Sequence, residues 1–241
     1  MRNQQRAAMT TAVAALAIAV TLTGCSSSKD TATPASTTSA KSTTTTTAVT
    51  SKSKLAPQTT AKAAAGPNKT IADYITDQNI VETAVHNGDT GVPQVVLPYP
   101  TGWVSAGDDT PDYALGAIVY TGPEDAAAYT PNIIALLSRL DGKADPQKLI
   151  DYAGGEVKNL PGYGQVGNGG VTAVVSGFPA YRIAGTYNLN GVEVVSAQET
   201  VVISGRSGLF VLQLNATGSQ QQADVLQAAI EDIDKQIAIT A

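Results

Sequence analysis

Residues 180–214, AYRIAGTYNLNGVEVVSAQETVVISGRSGLFVLQL, decide the fold. Asn190-Gly191 splits two runs rich in β-branched and aromatic residues, which is the signal of a two-residue hairpin. Gly205-Arg206-Ser207-Gly208 then turns the chain a second time. Strands are expected near Ala180–Tyr187, Val192–Ile203 and Leu209–Leu214, with a fourth near Thr172–Val175 entering across Gly177. Four strands joined by tight turns make an antiparallel meander. From about Ser219 to Lys235 the apolar period lengthens, so that Leu226, Ala229, Ile230, Ile233 and Ile237 form one helical stripe that must lie against the sheet.

Upstream, the pattern alternates between the two periods. Asp145-Pro146 starts a helix whose Leu149, Ile150, Ala153 and Val157 share a face until Leu160-Pro161-Gly162, with Gly154-Gly155 weakening its middle. A glycine-rich loop is expected through Gly164, Gly167, Gly169 and Gly170. Ile80–Val85, Val92–Leu97, Leu115–Tyr120 and Ile133–Leu140 read as strands, the last two separated by a polar loop with Pro123, Glu124, Asp125 and Pro131. Thr70, followed three residues later by Asp73, caps a short first helix ending near Asn79. The order of elements is that of an α+β domain over residues 70–241: an antiparallel β-sheet with helices packed against it.

The residues before this domain have another composition. Arg2 and Arg6 precede an apolar run from Ala7 to Leu22, too short for a comfortable membrane span, and Leu22-Thr23-Gly24-Cys25 follows. Residues 1–24 thus read as a signal peptide cut after Gly24. Cys25 then becomes the first residue, and its thiol can carry a thioether-linked diacylglycerol; further acylation (palmitate) makes the anchor stable. This pattern resembles the bacterial lipobox. It places the protein at the outer face of the cell membrane, held by lipid. The only cysteine is thereby accounted for, and no internal disulfide can form.

Between the anchor and the domain, residues 26–69 are Thr, Ser, Ala, Lys and Pro without apolar periodicity, a stalk that as a coil reaches roughly 35–40 Å. It can serve as a plain spacer, hold its lysines near anionic headgroups, or accept O-linked sugars on its threonines. Six lysines against Asp30 give it a net charge of +5, whereas from Thr70 onward seven basic residues face nineteen acids, a net of −12. A domain of that sign repels phosphate backbones, so nucleic-acid binding is excluded.

Motifs of catalysis fail on inspection. His86 is the single histidine, so no histidine metal cluster can form and a Ser-His-Asp triad would have no other base; a surface position is expected. Gly205-Arg206-Ser207-Gly208 lacks the final glycine of a nucleophile elbow. Gly162, Gly164 and Gly167 match a dinucleotide fingerprint by letters but follow a helix stop. Asp108, Asp109 and Asp112 form an acidic loop without the glycine and distal glutamate of a calcium loop. No cofactor and no metal are expected. Arg182, in a strand between apolar residues, is expected to be an ion-paired charge, with a ligand clamp as the alternative. Most aromatics should be core, but Tyr99, Trp103, Tyr113, Tyr120, Tyr181 and Tyr187 are the candidates to line a groove for an acyl chain.

Three stretches carry a family resemblance. Gly66-Pro67-Asn68-Lys69-Thr70-Ile71-Ala72-Asp73-Tyr74-Ile75, Lys158-Asn159-Leu160-Pro161-Gly162 and Phe210-Val211-Leu212-Gln213-Leu214-Asn215-Ala216 resemble the LpqN/LpqT family of mycobacterial lipoproteins. Val95-Val96-Leu97-Pro98 leading to Gly102-Trp103, with Gly177-Phe178-Pro179-Ala180, is similar to the PsbP-like α/β sandwich, which implies an α/β/α arrangement. The resemblance implies a non-enzymatic accessory or binding protein that engages envelope (mycolate) lipids or the proteins that handle them, and a monomer is expected. The alternative is an interaction or structural module without a small ligand. An acidic domain favours a neutral, sugar-linked lipid over an anionic one. The anchor has a direct test: Cys25→Ala removes the sole acylation site, so fractionation should find the variant outside the membrane fraction or with its leader uncut.

Overall fold

In a computed structural model of the chain, residues 66–122, 129–189 and 191–241 are described. The leader, Cys25 and the stalk up to residue 65 lie outside them, as do Pro123, Glu124, Asp125 and Asn190. The described elements are α1 (Ile71–Asp77), β1 (Val81–Ala84), β2 (Gln94–Val96), β3 (Trp103–Ser105), β4 (Gly116–Tyr120), β5 (Asn132–Asp141), α2 (Pro146–Tyr152), α3 (Gly155–Lys158), β6 (Gly164–Val175), β7 (Phe178–Leu189), β8 (Val192–Gly205), β9 (Gly208–Ser219), α4 (Ala223–Gln236) and β10 (Ala238–Thr240). Eight strands form one antiparallel sheet in the order β3-β4-β5-β9-β8-β7-β6. The eighth, β1, shares the free side of β5 with β4: β4 takes Asn132–Ala135 and β1 takes Ser138–Asp141.

Alternation along the strands sends side chains to two helical layers. Val201, Ile203, Phe210 and Leu212 face α4, whose Leu226, Ala229 and Ile233 complete the larger core. Val202 and Val211, one residue out of step, face α1 and α2 through Ile71, Ile75, Leu149 and Ile150. The α/β/α sandwich follows from that period of two. Thr70 and Asp73 form the expected capping box, and Asp145 caps α2 through the Gln147 N–H.

Four expectations are corrected. The helix from Asp145 breaks into α2 and α3 around Ala153-Gly154. Gly155 sits there because the chain entering α1 crosses it: a Cβ on Gly155 would meet the Lys69 carbonyl oxygen at 2.2 Å. The glycine-rich loop belongs to β6, whose pairing with β7 is interrupted between Val166 and Val171 and resumes in a shifted register. Gly167, Gly169 and Gly170 take φ of 61°, 70° and 118° in that bulge, which only glycine adopts readily. The Val92–Leu97 run pairs over three residues only, and with β10 rather than with the main sheet. Ile237 is buried as foreseen but lies beyond α4 in extended backbone, leading into β10. Trp103–Ser105, lost among prolines and glycines in the sequence, is a short edge strand.

The segment ahead of α1 is tied down by Asn159. Its Oδ1 accepts from the Asn68 backbone N–H and side-chain amide at 3.1 and 3.0 Å, and its Nδ2 donates to the Asn68 carbonyl at 2.8 Å. With the backbones in contact, Gly155→Ala should lower stability by about 1–3 kcal/mol, read as a lower thermal midpoint with the same transition cooperativity.

Candidate functional site

The face of the sheet under α4 is not filled. In register, Ala184 of β7, Ala197 of β8 and Ala216 of β9 stand side by side, flanked by Val166 of β6 and Ile133 of β5. Three methyl groups in a row leave a trough beneath Ile230 and Ile233 of α4, a cavity of about 260 Å³. Its mouth is the β6 bulge, where Val166 and Val171 are exposed. A second compartment of about 460 Å³ continues under β4 and the residue 97–99 segment, with Tyr99 and His86 in its wall. Ile133, Leu214 and Ile233 line both compartments and form the partition between them. Together they fall within the size and apolar character of small-molecule sites.

One end of the first compartment is charged. Arg182 and Glu199 face each other across β7 and β8, and the Arg182 Nε–H donates to Glu199 Oε2. The same guanidinium reaches Asp234 of α4, Nη2 to Oδ2 at 2.8 Å. Glu199 is 4% exposed. Burial pushes its carboxyl up to about 7 despite Arg182, with Asp234 adding to the rise. On the opposite face Glu156 is also pushed up by burial, against the amides of Gln198 and Gln213 that hold it as a carboxylate.

The six candidate aromatics do not converge. Trp103 and Tyr120 pack together with centroids 5.6 Å apart, and Trp103 is buried in the core on the α4 side. Tyr113 packs near Ala117 and Ile134 on the other face. Tyr181 lies on the α2 side, and its Oη donates to the Gly169 carbonyl at 3.5 Å. Tyr187 is half-buried on β7, its hydroxyl pushed up to about 12 by burial. Only Tyr99 lines either compartment. The residues that shape the trough are the three alanines, which carry no chemical signature. Arg182 is an ion-paired charge and a cavity wall at once. His86 is half-exposed, with Nε2 3.0 Å from the Asp112 carbonyl and Nδ1 3.9 Å from Asp89. Gly205–Gly208 closes an ordinary hairpin between β8 and β9. Among the described residues no cluster of His, Cys, Asp and Glu could hold a metal ion, and no helix is long and apolar enough to cross a membrane.

The site sits in an α+β domain with one broad antiparallel sheet between helical layers. Comparison with known proteins narrows the class. The family model described as "Probable lipoprotein LpqN" matches residues 67–240. Lipoprotein LpqN of Mycobacterium tuberculosis is 45% identical over 177 residues, which span 73% of this chain and 76% of that protein. A crystal structure of LpqN, a protein involved in cell envelope biogenesis of M. tuberculosis, superposes with a TM-score of 0.68, covering 73% of this chain and all of the other. This chain belongs to the LpqN lipoprotein family.

The charge cluster predicts a large single-site effect. Arg182→Ala would leave Glu199 and Asp234 buried against each other without a cation. Stability at neutral pH should fall by about 3 kcal/mol, the low end for a broken buried pair because Arg182 is partly exposed. Chemical denaturation at pH 7 checks it, and the loss should shrink at pH 5, where a carboxyl is protonated.

Proposed function

We propose that this lipoprotein, anchored through Cys25 at the outer face of the cell membrane, holds the hydrocarbon chain of an envelope lipid in the trough beneath α4 and acts as a carrier or accessory rather than an enzyme. The observation that carries the reading is the alanine row: the sheet gives up core volume at three registered positions, and an apolar channel results. A solid sheet–helix core would be more stable, since each unfilled methylene costs about 1 kcal/mol. Empty apolar volume that persists in a small domain fits a ligand.

The M. tuberculosis relative is involved in cell envelope biogenesis, and a lipid-handling role here fits that setting. The domain's −12 charge repels anionic headgroups, so a neutral headgroup, such as a sugar, is the better match. The single histidine, half-exposed and engaged by a carbonyl, is not placed to activate a nucleophile.

Filling the trough is the test. Ala197→Leu with Ala216→Leu places two isobutyl groups into the empty volume without touching the surface. Titration of the chain with a trehalose-linked mycolate and with phosphatidylcholine, followed by Trp103 fluorescence and co-purification, should give binding of the first. The double variant should keep its thermal midpoint within a few degrees and bind at least tenfold more weakly, about 1.4 kcal/mol. Binding by the double variant equal to that of the wild type would overturn the reading. Capture of a partner protein with no lipid bound would favour an interaction module.

A further inference from the structure

The end of α4 that roofs the trough is fastened by a cluster with one proton too few. Glu199 Oε1 and Asp234 Oδ1 are both shut off from solvent, and neither has a hydrogen-bond donor, whereas their other oxygens share the Arg182 guanidinium. Neither orphan oxygen is open to a ligand in the trough, since both are inaccessible even to water. Both side chains are drawn together on the one guanidinium. With both acids ionised the cluster carries a net negative charge in an apolar wall, and each carboxylate keeps one buried oxygen without a donor. One proton removes both defects: the cluster becomes neutral, and a carboxylic acid donates to the facing carboxylate.

We propose that Glu199 and Asp234 share a single proton that, with Arg182, clasps the C-terminal turns of α4 onto the sheet, and that loss of this proton loosens the roof of the trough. The proposal rests on the trough reading for its consequence but not for its existence, since the clasp is visible without any lipid. Among the described residues no other ionisable side chain lines the compartment: β6 presents Asn168 and Val171, β9 presents Leu214 and Ala216, and β5 presents Ile133. The remaining charges at this end of α4, Glu231, Asp232 and Lys235, lie outside the compartment: Glu231 accepts from Gln227, and Lys235 lies 4.0 Å from Asp232. The pair therefore titrates largely by itself.

Its sign follows from burial. The carboxyl's affinity for the proton is raised from the ordinary 4.5 to about 7 in the closed state. The closed state thus binds more protons than an open one. Its advantage is fully present below about pH 4.5, declines above that, and is lost as pH rises through about 7. Each unit of displaced proton affinity is worth about a factor of ten in the closing equilibrium. Asp234 sits in the last turns of α4, so loosening begins beside the β6 bulge, where the trough opens.

Two measurements on the full lipidated chain in phosphatidylcholine vesicles test this without requiring a bound ligand. Infrared difference spectra between pH 5.5 and 8.5 should show the carbonyl stretch of one protonated carboxylic acid disappearing with a midpoint near 7, and Glu199→Gln or Asp234→Asn should abolish it. Amide hydrogen exchange in residues 229–237, corrected for intrinsic pH dependence, should speed up at least tenfold over the same range in the wild type. Glu199→Gln, which keeps a donor toward Asp234 without a titrating proton, should give slow, pH-independent exchange there. Thermal unfolding at pH 5.5 establishes that each variant is folded, and Asp234→Asn serves if Glu199→Gln is not. Absence of the protonated-acid band in wild type, or α4 exchange that does not change with pH, overturns the clasp. A titrating clasp in a chain that binds no lipid would leave it standing and remove the trough's ligand instead.

Discussion

Two turns of two residues set the register of everything between β7 and β9. The β7–β8 hairpin pairs Leu189 with Val192, and the β8–β9 hairpin pairs Gly205 with Gly208. Because side chains alternate with a period of two, a slip of one residue at either turn would turn every side chain on the strand beyond it to the opposite face. Val201, Ile203 and Phe210 would then meet α1 and α2, and Val202 and Val211 would meet α4. The same register places Ala184, Ala197 and Ala216 in one row and Arg182 opposite Glu199 in the next. Core, trough and charge cluster are therefore three readings of one alignment.

The helices are consequences of that sheet. α4 lies on the wider apolar face and is held at both ends: Ser219 and Gln222 form a capping box ahead of it, and β10 pairs with β2 behind it. α1 and α2 cover part of the other face, with Tyr74 reaching between them to accept the Asp145 backbone N–H at 2.8 Å. The helix that roofs the trough is thus anchored beyond its own span.

Much of this was open to reading in the sequence. Asn190-Gly191, the glycine turn at 205–208 and the switch from a period of two to one of 3.6 after residue 219 identified the meander and the last helix. Counting back from Asn190-Gly191 as a two-residue turn pairs Arg182 with Glu199 and Ala184 with Ala197, so the ion pair and the start of the alanine row were within reach. The aromatics singled out as candidate walls lie mostly away from the trough: Trp103 and Tyr120 pack together in the core, Tyr181 is on the α2 side, and the cavity under α4 is shaped by small residues. The β6 glycines failed as a loop because a long bulge preserves strand pairing on both sides, and local composition cannot show where pairing resumes. β10 was hidden because three residues carry no period.

The bulge in β6 has a consequence for how many copies can share a membrane. Molecules tethered to one surface meet in two dimensions, far more often than the same number free in solution. A straight, unpaired edge of twelve residues would offer each neighbour a ladder on which to add its own sheet. Here the outer strand pairs as a segment of three residues and a segment of five, with a kinked glycine insert between them, and the opposite side ends in the three-residue β3 and the four-residue β1. Neither side presents a run long and flat enough to template another. The edges of the sheet are therefore blunted by geometry, without drawing on the domain's charge.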